Sequence, residues 1–599
     1  MMKKVVVVDF GGQYTHLISN RIRTLGVFSE VVSPETFDPL SEKNLVGIIF
    51  SGGPHSVLET GHPCINFDLH NCPVPILGLC YGHQLLAQLS GGKVETGGKR
   101  EYGSAEINIT EKSRLFDGLG KSQSVWMSHG DHVSELPAGF RITASSPSLS
   151  IAAFESDSGK FFGVQFHPEV SHTPNGLKML DRFLSICTQT REWTTEARRR
   201  QIVEKTKHEA MNRNLLLFLS GGVDSLVALA VCIEAVGKER VFSIHVDTGL
   251  MREGESEEIV RHISSLGYSN IELADACNLF LGRLAGIYDP EKKREIIGKT
   301  FVDVLNEKIA KYSSGTDWML VQGTIYPDRI ESGGSKSSAK IKTHHNRVPE
   351  IEKLIAQGRV LEPLCDLYKD EIRELGRELN LPEKLLQRHP FPGPGLGIRI
   401  LASASSEAED GYISEEPELD EICKTFSFKS RILPVKSVGV QGDGRTFLHP
   451  AALWCEDSNE FSWQKLGDCA VKIVNSLKTV NRVVFSPFAR LDTVRLKASD
   501  VNQSRADLLR KVDQLVRSMT EDMSEIWQLP VISLPAVDEN NNWIFVIRPV
   551  TSTNAMTADF FKMPQNRLRE ILREAIKIPG VGKILYDITS KPPATIEWE

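Results

Sequence analysis

The stretch Val74-Pro75-Ile76-Leu77-Gly78-Leu79-Cys80-Tyr81-Gly82-His83-Gln84-Leu85-Leu86-Ala87-Gln88-Leu89 decides how the first third of this chain folds. Val74 to Leu77 reads as a short apolar strand and Tyr81 to Leu89 as a helix, which leaves Cys80 on the sharp turn between them. Gly78 and Gly82 leave room around that turn. A residue held there is a nucleophile candidate, because a helix N-terminus favours a thiolate and the Tyr81 N–H can face an oxyanion. Two further strands, Val5 to Asp9 and Gly47 to Phe50, also run into glycine-containing turns. This alternation predicts an α/β layer fold with a largely parallel sheet and the chemistry at its strand ends.

A nucleophile needs a base, and a base needs an orienting group. In Phe166-His167-Pro168-Glu169 the carboxylate lies two residues from the imidazole, so on extended backbone both side chains project to one side. We therefore expect a Cys80–His167–Glu169 triad. Ser51-Gly52-Gly53-Pro54 follows the second strand and offers another oxyanion N–H. His129 and Asp131 are read as structural loop residues without a chemical role.

The chain has 599 residues, more than one hydrophobic core usually organises, which suggests three or four domains. A hydrophobic fraction of 41% is ordinary for a globular chain, and a net charge of -7 argues against a surface built mainly for nucleic acid. No apolar run reaches the roughly 18 residues that cross a bilayer, so a cytoplasmic location without membrane partners is expected. The ten cysteines include no Cys-x-x-Cys pair, which indicates neither a zinc ribbon nor a disulfide framework.

Residues 191–210 form a charged, helix-prone junction. Beyond it, Leu215 to Leu219 reads as a strand, Ser220-Gly221-Gly222-Val223-Asp224-Ser225 as a tight turn and Leu226 to Val236 as a helix. Backbone N–H groups and two hydroxyls at a helix N-terminus make an anion cradle, here without the lysine of a Walker loop. Gly298-Lys299-Thr300 is read as the start of an ordinary helix, since Lys293 stands where the first Walker glycine belongs. Val241 to Asp247 is the next strand. The segment Ser332 to Asn346 has the composition of a lid, and His344-His345 lacks partners at metal-ligand spacing. Phe391-Pro392-Gly393-Pro394-Gly395-Leu396-Gly397 marks a boundary. In the last third, Leu433-Pro434-Val435 recurs as Leu529-Pro530-Val531 and the Val480 to Phe485 strand as Val581 to Tyr586, each after an amphipathic helix. Two α-β-β-α-β units in tandem, about 415–490 and 504–599, are expected.

The Cys80 and His167 segments resemble a class I glutamine amidotransferase domain, and the Ser220 turn resembles the PP-loop of ATP pyrophosphatases. The whole chain, down to Asp587-Ile588-Thr589-Ser590-Lys591-Pro592-Pro593-Ala594-Thr595-Ile596-Glu597-Trp598-Glu599, resembles the glutamine-hydrolysing GMP synthetase family. That resemblance implies an amidotransferase domain at 1–195, a PP-loop domain at 196–395 and an α+β C-terminal domain at 396–599. It further implies a carbon–nitrogen ligase that releases ammonia from glutamine, adenylylates xanthosine monophosphate (XMP) with ATP, releases pyrophosphate and aminates C2. Gly53 and Tyr81 are then the oxyanion donors and Ser220, Gly221, Gly222, Val223, Asp224, Ser225 and Leu226 bind ATP, with adenine near Val246 and Asp247. Leu226 stands where the family commonly has threonine. Arg294, Asp443, Gln528, Lys591 and Glu597 are carried over as XMP contacts. Magnesium accompanies ATP, with Asp224 as a candidate ligand, and no fixed metal site or tightly held organic cofactor is expected. Shorter members carry one C-terminal copy and pair it between subunits, so tandem copies favour a monomer, with a homodimer as the alternative. Other readings are a different PP-loop ligase such as an NAD synthetase, a tRNA-thiolating PP-loop protein and a catalytically degenerate scaffold.

Overall fold

The computed structural model describes residues 2–313, 317–328, 354–387, 392–409, 411–441, 444–455, 461–487, 490–552 and 558–599. The Ser332 to Asn346 lid, Phe391 and Asp443 lie outside them. The chain divides into two compact units, Met1–Gln201 and Ile202–Glu599.

The first unit is built on a nine-stranded sheet: β1 (Lys4–Val8), β2 (Phe28–Val32), β3 (Leu45–Phe50), β4 (Ile76–Leu79), β5 (Lys93–Ile109), β6 (Ser122–Glu135), β7 (Phe140–Ser145), β8 (Ala153–Ser156) and β9 (Phe161–Val164). The order is β2-β1-β3-β4-β9-β8-β7-β5-β6. The first five of these are mutually parallel, and the rest extend the sheet antiparallel. Val5 to Val8 are fully buried, as a parallel strand covered on both faces requires. Helices α1 (Thr15–Thr24), α2 (Tyr81–Leu89) and α3 (Gly176–Cys187) pack against it. The expected α/β class is borne out. β4 starts after Pro75, whose nitrogen has no hydrogen for a ladder, and so lies two residues later than read. β2, the edge strand Phe28-Ser29-Glu30-Val31-Val32, was not anticipated because its two polar residues, Ser29 and Glu30, are adjacent and break the apolar–polar alternation of a half-buried strand.

Helix α4 (Thr195–Ala210) leads into the second unit. Its first sheet is parallel, with order β12-β11-β10-β13-β14, from β10 (Asn214–Phe218), β11 (Val241–Asp247), β12 (Ile271–Asp275), β13 (Trp318–Val321) and β14 (Val360–Leu361). Between them run α5 (Val223–Val236), α6 (Glu255–Ser265), α7 (Cys277–Leu284) and α8 (Pro290–Ser313), followed by α9 (Lys369–Glu378). Helix α5 begins at Val223 rather than Leu226. Extended Gly222 is its N-cap, and its carbonyl already accepts the Leu226 N–H. Gly298-Lys299-Thr300 lies inside α8, not at its start; Pro290 opens that helix, where its missing N–H costs nothing.

The second sheet contains β15 (Lys429–Ile432), β16 (Ser437–Gln441), β17 (Gly444–Trp454), β18 (Val480–Ser486), β19 (Arg495–Leu496), β20 (Val531–Val537), β21 (Trp543–Ile547) and β24 (Val581–Asp587). A small hairpin joins β22 (Val550–Thr551) to β23 (Asp559–Phe560). Its helices are α10 (Glu416–Thr425), α11 (Trp463–Ser476), α12 (Gln503–Ser518) and α13 (Gln565–Ala575). The order β15-β17-β18-β24-β21-β20 reads alike from either end: antiparallel, parallel, a central antiparallel pair, parallel, antiparallel. The pairing Ile432↔Ala451↔Val483 is matched by Ser533↔Phe545↔Ile584, so Ile432 and Ser533, like Val483 and Ile584, are equivalent and 101 residues apart. The ladder is interrupted at Leu433-Pro434-Val435 and again at Leu534-Pro535-Ala536. The counterpart of Leu433-Pro434 is therefore Leu534-Pro535. The expected match to Leu529-Pro530 was out of register by five residues.

Across the middle of this sheet lies a buried charge bridge. Asp587 of β24 pairs with Arg482 of β18 and with Arg548, each at 2.6 Å, and all three side chains are fully buried. Burial raises the Asp587 pKa, but Arg548 and then Arg482 outweigh it and hold the carboxyl below its ordinary value. Trp598 donates its indole N–H to the same carboxylate at 3.0 Å, with the Arg482 guanidinium over its ring, which anchors the tail.

Candidate active sites

In the first unit β4 delivers Cys80 to the start of α2 with φ 51° and ψ -106°, a left-handed conformation that a side chain with Cβ rarely adopts. The turn is fixed by its N–H donating to Val164 O at 2.9 Å and by Gly82 N–H donating to Ser51 O at 3.0 Å. Only glycine fits beside it: a Cβ on Gly82 would stand 2.4 Å from Phe50 O. Gly52 lies between nucleophile and base, with the place of its missing Cβ 3.1 Å from His167 Cε1 and 3.7 Å from Cys80 Cβ. Gly53 follows it, packed against Phe10 O.

His167 Nδ1 lies 2.7 Å from Glu169 Oε1, both residues are buried, and Arg21 Nε donates to the Glu169 carbonyl at 3.1 Å. Burial opposes charge on the imidazole, but Glu169 and then the Cys80 thiol outweigh it and push its pKa up to about 11. The structure thus brings Cys80, His167 and Glu169 together. It adds two amides that sequence reasoning missed. Gln165 Nε2 points at Cys80 Sγ from 3.8 Å, and Gln84 Nε2 donates to Gln165 Oε1 at 3.2 Å and to Asp131 O at 2.7 Å. The available signal for Gln84 was its place one helical turn after Cys80. His129 and Asp131 lie in strand β6 and not in a loop, their pairing with β5 fixing them there; His129 Nδ1 is 3.0 Å from Asp131 O and Nε2 is beside Glu101 at 3.3 Å.

In the second unit Ser220-Gly221-Gly222 turns from β10 into α5, with Gly221 at φ 77°. Ser225 Oγ donates to Gly222 O at 2.9 Å and lies 3.2 Å from Ser220 Oγ, which accepts the Gly222 N–H at 3.3 Å. Val223 is buried under the turn, while Leu226 is buried and its N–H is spent on Gly222 O. The first turn of α5 is close to the exit of β13, where a Cβ on Gly323 would stand 3.3 Å from Ser225 N. Asp224 Oδ2 pairs with Lys369, while Oδ1 is buried without a hydrogen-bond partner. That oxygen suits a cation carried in on a phosphate. No group of three or more metal-ligating side chains occurs among the described residues. Lys369 was missed. A cation at the first position of α9 opposes the helix dipole, an oddity that could have flagged it.

Asp443 aside, the residues carried over for XMP fall into two groups. Arg294 of α8 donates to the Glu599 carbonyl, and adjacent Lys293 is buried against the Glu599 side chain, where burial lowers the Lys293 pKa. Glu597 is held in a fork by Arg399, at 2.7 and 3.1 Å. Gln528 pairs with Val550 of β22, and Lys591 pairs with Ala558 beside β23, so both abut the same hairpin. The tail also lies along β16, with Val440 N–H donating to Pro593 O at 2.6 Å and Val438 N–H to Trp598 O at 2.8 Å.

Three family profiles match the chain: glutamine amidotransferase class-I over residues 6–187, NAD synthase over 195–293 and GMP synthase C terminal domain over 517–598. A "Probable GMP synthase [glutamine-hydrolyzing]" of Leptospira interrogans is 41% identical, covering 100% of this chain and 99% of the relative. The GMP synthase (glutamine-hydrolysing) of Streptomyces coelicolor is 41% identical over 99% and 98%. That of Clostridium tetani is 41% identical over 81% of this chain and 98% of its own. Among solved structures, a glutamine amidotransferase from Thermotoga maritima is 17% identical with a TM-score of 0.28, covering 32% of this chain and 100% of that one. No described helix is long and apolar enough to cross a membrane.

Proposed function

The chain belongs to the glutamine-hydrolysing GMP synthase family, and from that premise we propose how its residues divide the reaction. Residues 1–195 make ammonia, 196–395 use ATP and 396–599 hold XMP. The Cys80 thiolate attacks the glutamine carboxamide, the Gly53 and Tyr81 N–H groups hold the oxyanion, and the His167 imidazolium gives its proton to departing ammonia. Water then hydrolyses the glutamyl thioester, with Glu169 keeping the imidazole oriented. The observation that carries this half is the strained Cys80 turn facing a His167–Glu169 pair that favours the charged imidazole.

In the second unit Ser220 to Ser225 cradle the pyrophosphate end of ATP, and Lys369 completes the charge around Asp224. Asp224 Oδ1 would hold the magnesium that arrives with ATP and neutralises phosphate charge. XMP O2 displaces pyrophosphate at the α-phosphorus, and ammonia displaces AMP at C2. Arg294 and Lys591 suit the 5′-phosphate, while Asp443, Gln528 and Glu597 suit ribose and base. The test is incubation with XMP, ATP, magnesium and glutamine. GMP, AMP, pyrophosphate and glutamate should appear in equal amounts, and glutamate without ATP-dependent loss of XMP would overturn the assignment.

A further inference from the structure

The loop of residues 248–253 leaves the carboxyl end of β11, next to the strand that feeds the cradle. Three sets of contacts hold it. Asp247 Oδ1 accepts the Gly249 N–H at 2.9 Å, and Gly249 itself sits at φ 71°. From the Pro-Gly boundary segment itself, Leu396 N–H donates to Leu250 O at 2.7 Å, an approach so close that a Cβ on Gly395 would stand 2.3 Å from that oxygen. The third set comes from α12, in the second C-terminal copy. Arg510 Nε donates to Met251 O at 2.9 Å while its Nη2 donates to Gly249 O.

Arg510 is thus a planar fork spent on two carbonyls of one tight turn, with Asp507 fixing the guanidinium at 2.5 Å. Two turns further along the same helix face, Arg517 donates to Leu529 O at 3.2 Å, next to Gln528. Between them Asp513, 2% exposed in its side chain, pairs with Arg517 at 2.7 Å and faces Arg252 of the loop at 3.7 Å. One helix therefore touches both the turn beside the nucleotide cradle and the neighbour of an XMP contact.

We propose that Arg510 is a positioning residue for ATP: it fixes the Gly249–Met251 turn in the shape that receives the nucleotide. The proposal rests on the reading that places ATP at the β10 and β11 strand ends. Only a guanidinium reaches both carbonyls, so charge alone does not replace it.

The test uses the full chain with ammonium as nitrogen source, measuring KM for ATP and for XMP. Arg510→Met should raise KM for ATP about tenfold, or about 1.4 kcal/mol, less than a single charged hydrogen bond because the lost contacts shape the turn and do not touch the nucleotide, with KM for XMP changed less than about twofold. Arg510→Lys, which folds with its charge kept, should recover only part of the loss. An unchanged KM for ATP in both variants, or an equal rise in both KM values, overturns the proposal. Ser225→Ala in the same assay separates the failures. If it raises KM for ATP or lowers the synthesis rate about 100-fold while Arg510→Met leaves KM for ATP unchanged, only the role of Arg510 falls; if Ser225→Ala changes neither rate nor KM, the placement of ATP falls with it.

Discussion

The proposed division of labour gives ammonia release to Cys80 and ammonia use to the second unit. Cys80→Ala should abolish glutamine-dependent GMP formation and retain synthesis from added ammonium at alkaline pH; equal loss of both in a folded protein would refute separate sites. The imidazole adds a pH signature. His167 has a folded-state pKa of about 11 against an ordinary 6.5, so its charged partnership with Glu169 stabilises the fold fully below pH 6.5 and is lost as pH rises toward 11. Glu169→Gln removes the carboxylate that sustains this. The gap in Tm between wild type and Glu169→Gln should be widest near pH 6 and close steadily through pH 9 and 10, and a gap independent of pH would exclude the pairing as its source. Cys80, His167 and Glu169 were legible as neighbours because each is a reactive residue type set in a short local pattern. Lys369 was not, because its partner Asp224 is 145 residues away and nothing local announces a contact made by folding.

Among the elements, the start of α5 is the one that the nucleotide reading needs. Asp224→Ala or Ser225→Ala removes a preorganised contact to the pyrophosphate or its cation, with an expected loss of about 100-fold in synthesis rate at saturating XMP. Wild-type rates in both would move the ATP site elsewhere. Strand β24 carries a different kind of dependence, since Asp587 neutralises two buried guanidinium groups. Asp587→Asn should cost about 3–5 kcal/mol in urea unfolding, because it leaves charge buried and uncompensated. The depressed carboxyl pKa predicts that this stability is present above its ordinary 3.8 and lost as pH falls through the lower folded value. Strands β1, β3, β4, β10 and β11, with the helices α2 and α5, were readable from apolar runs punctuated by glycine, while β2, β9, β12, β13 and β14 were not. Element boundaries were less so, as α5 shows: Val223-Asp224-Ser225 looks like turn chemistry and is helix, because an N-terminal turn uses the same small polar residues.

At the scale of the molecule, the near-mirror order of the C-terminal sheet argues that the chain supplies both halves of a paired arrangement itself. The protein should be active as a monomer in sedimentation velocity run during turnover, and activity lost on dilution below a dimer dissociation constant would contradict this. The recurrence was visible in sequence through the Val480 and Val581 strands, while its register was obscured because Leu-Pro occurs at both 529 and 534 and only pairing to β21 distinguishes them. The seam between β18 and β24 has a further consequence. In a symmetric homodimer every codon change lands twice, once on each side of the axis, so neither face can specialise. Here one gene encodes both faces separately, and Arg482 has Lys583, not a second arginine, at the equivalent place. A change at Asp587 is felt once, and the two halves are free to drift apart, one toward the ligand and the other toward support.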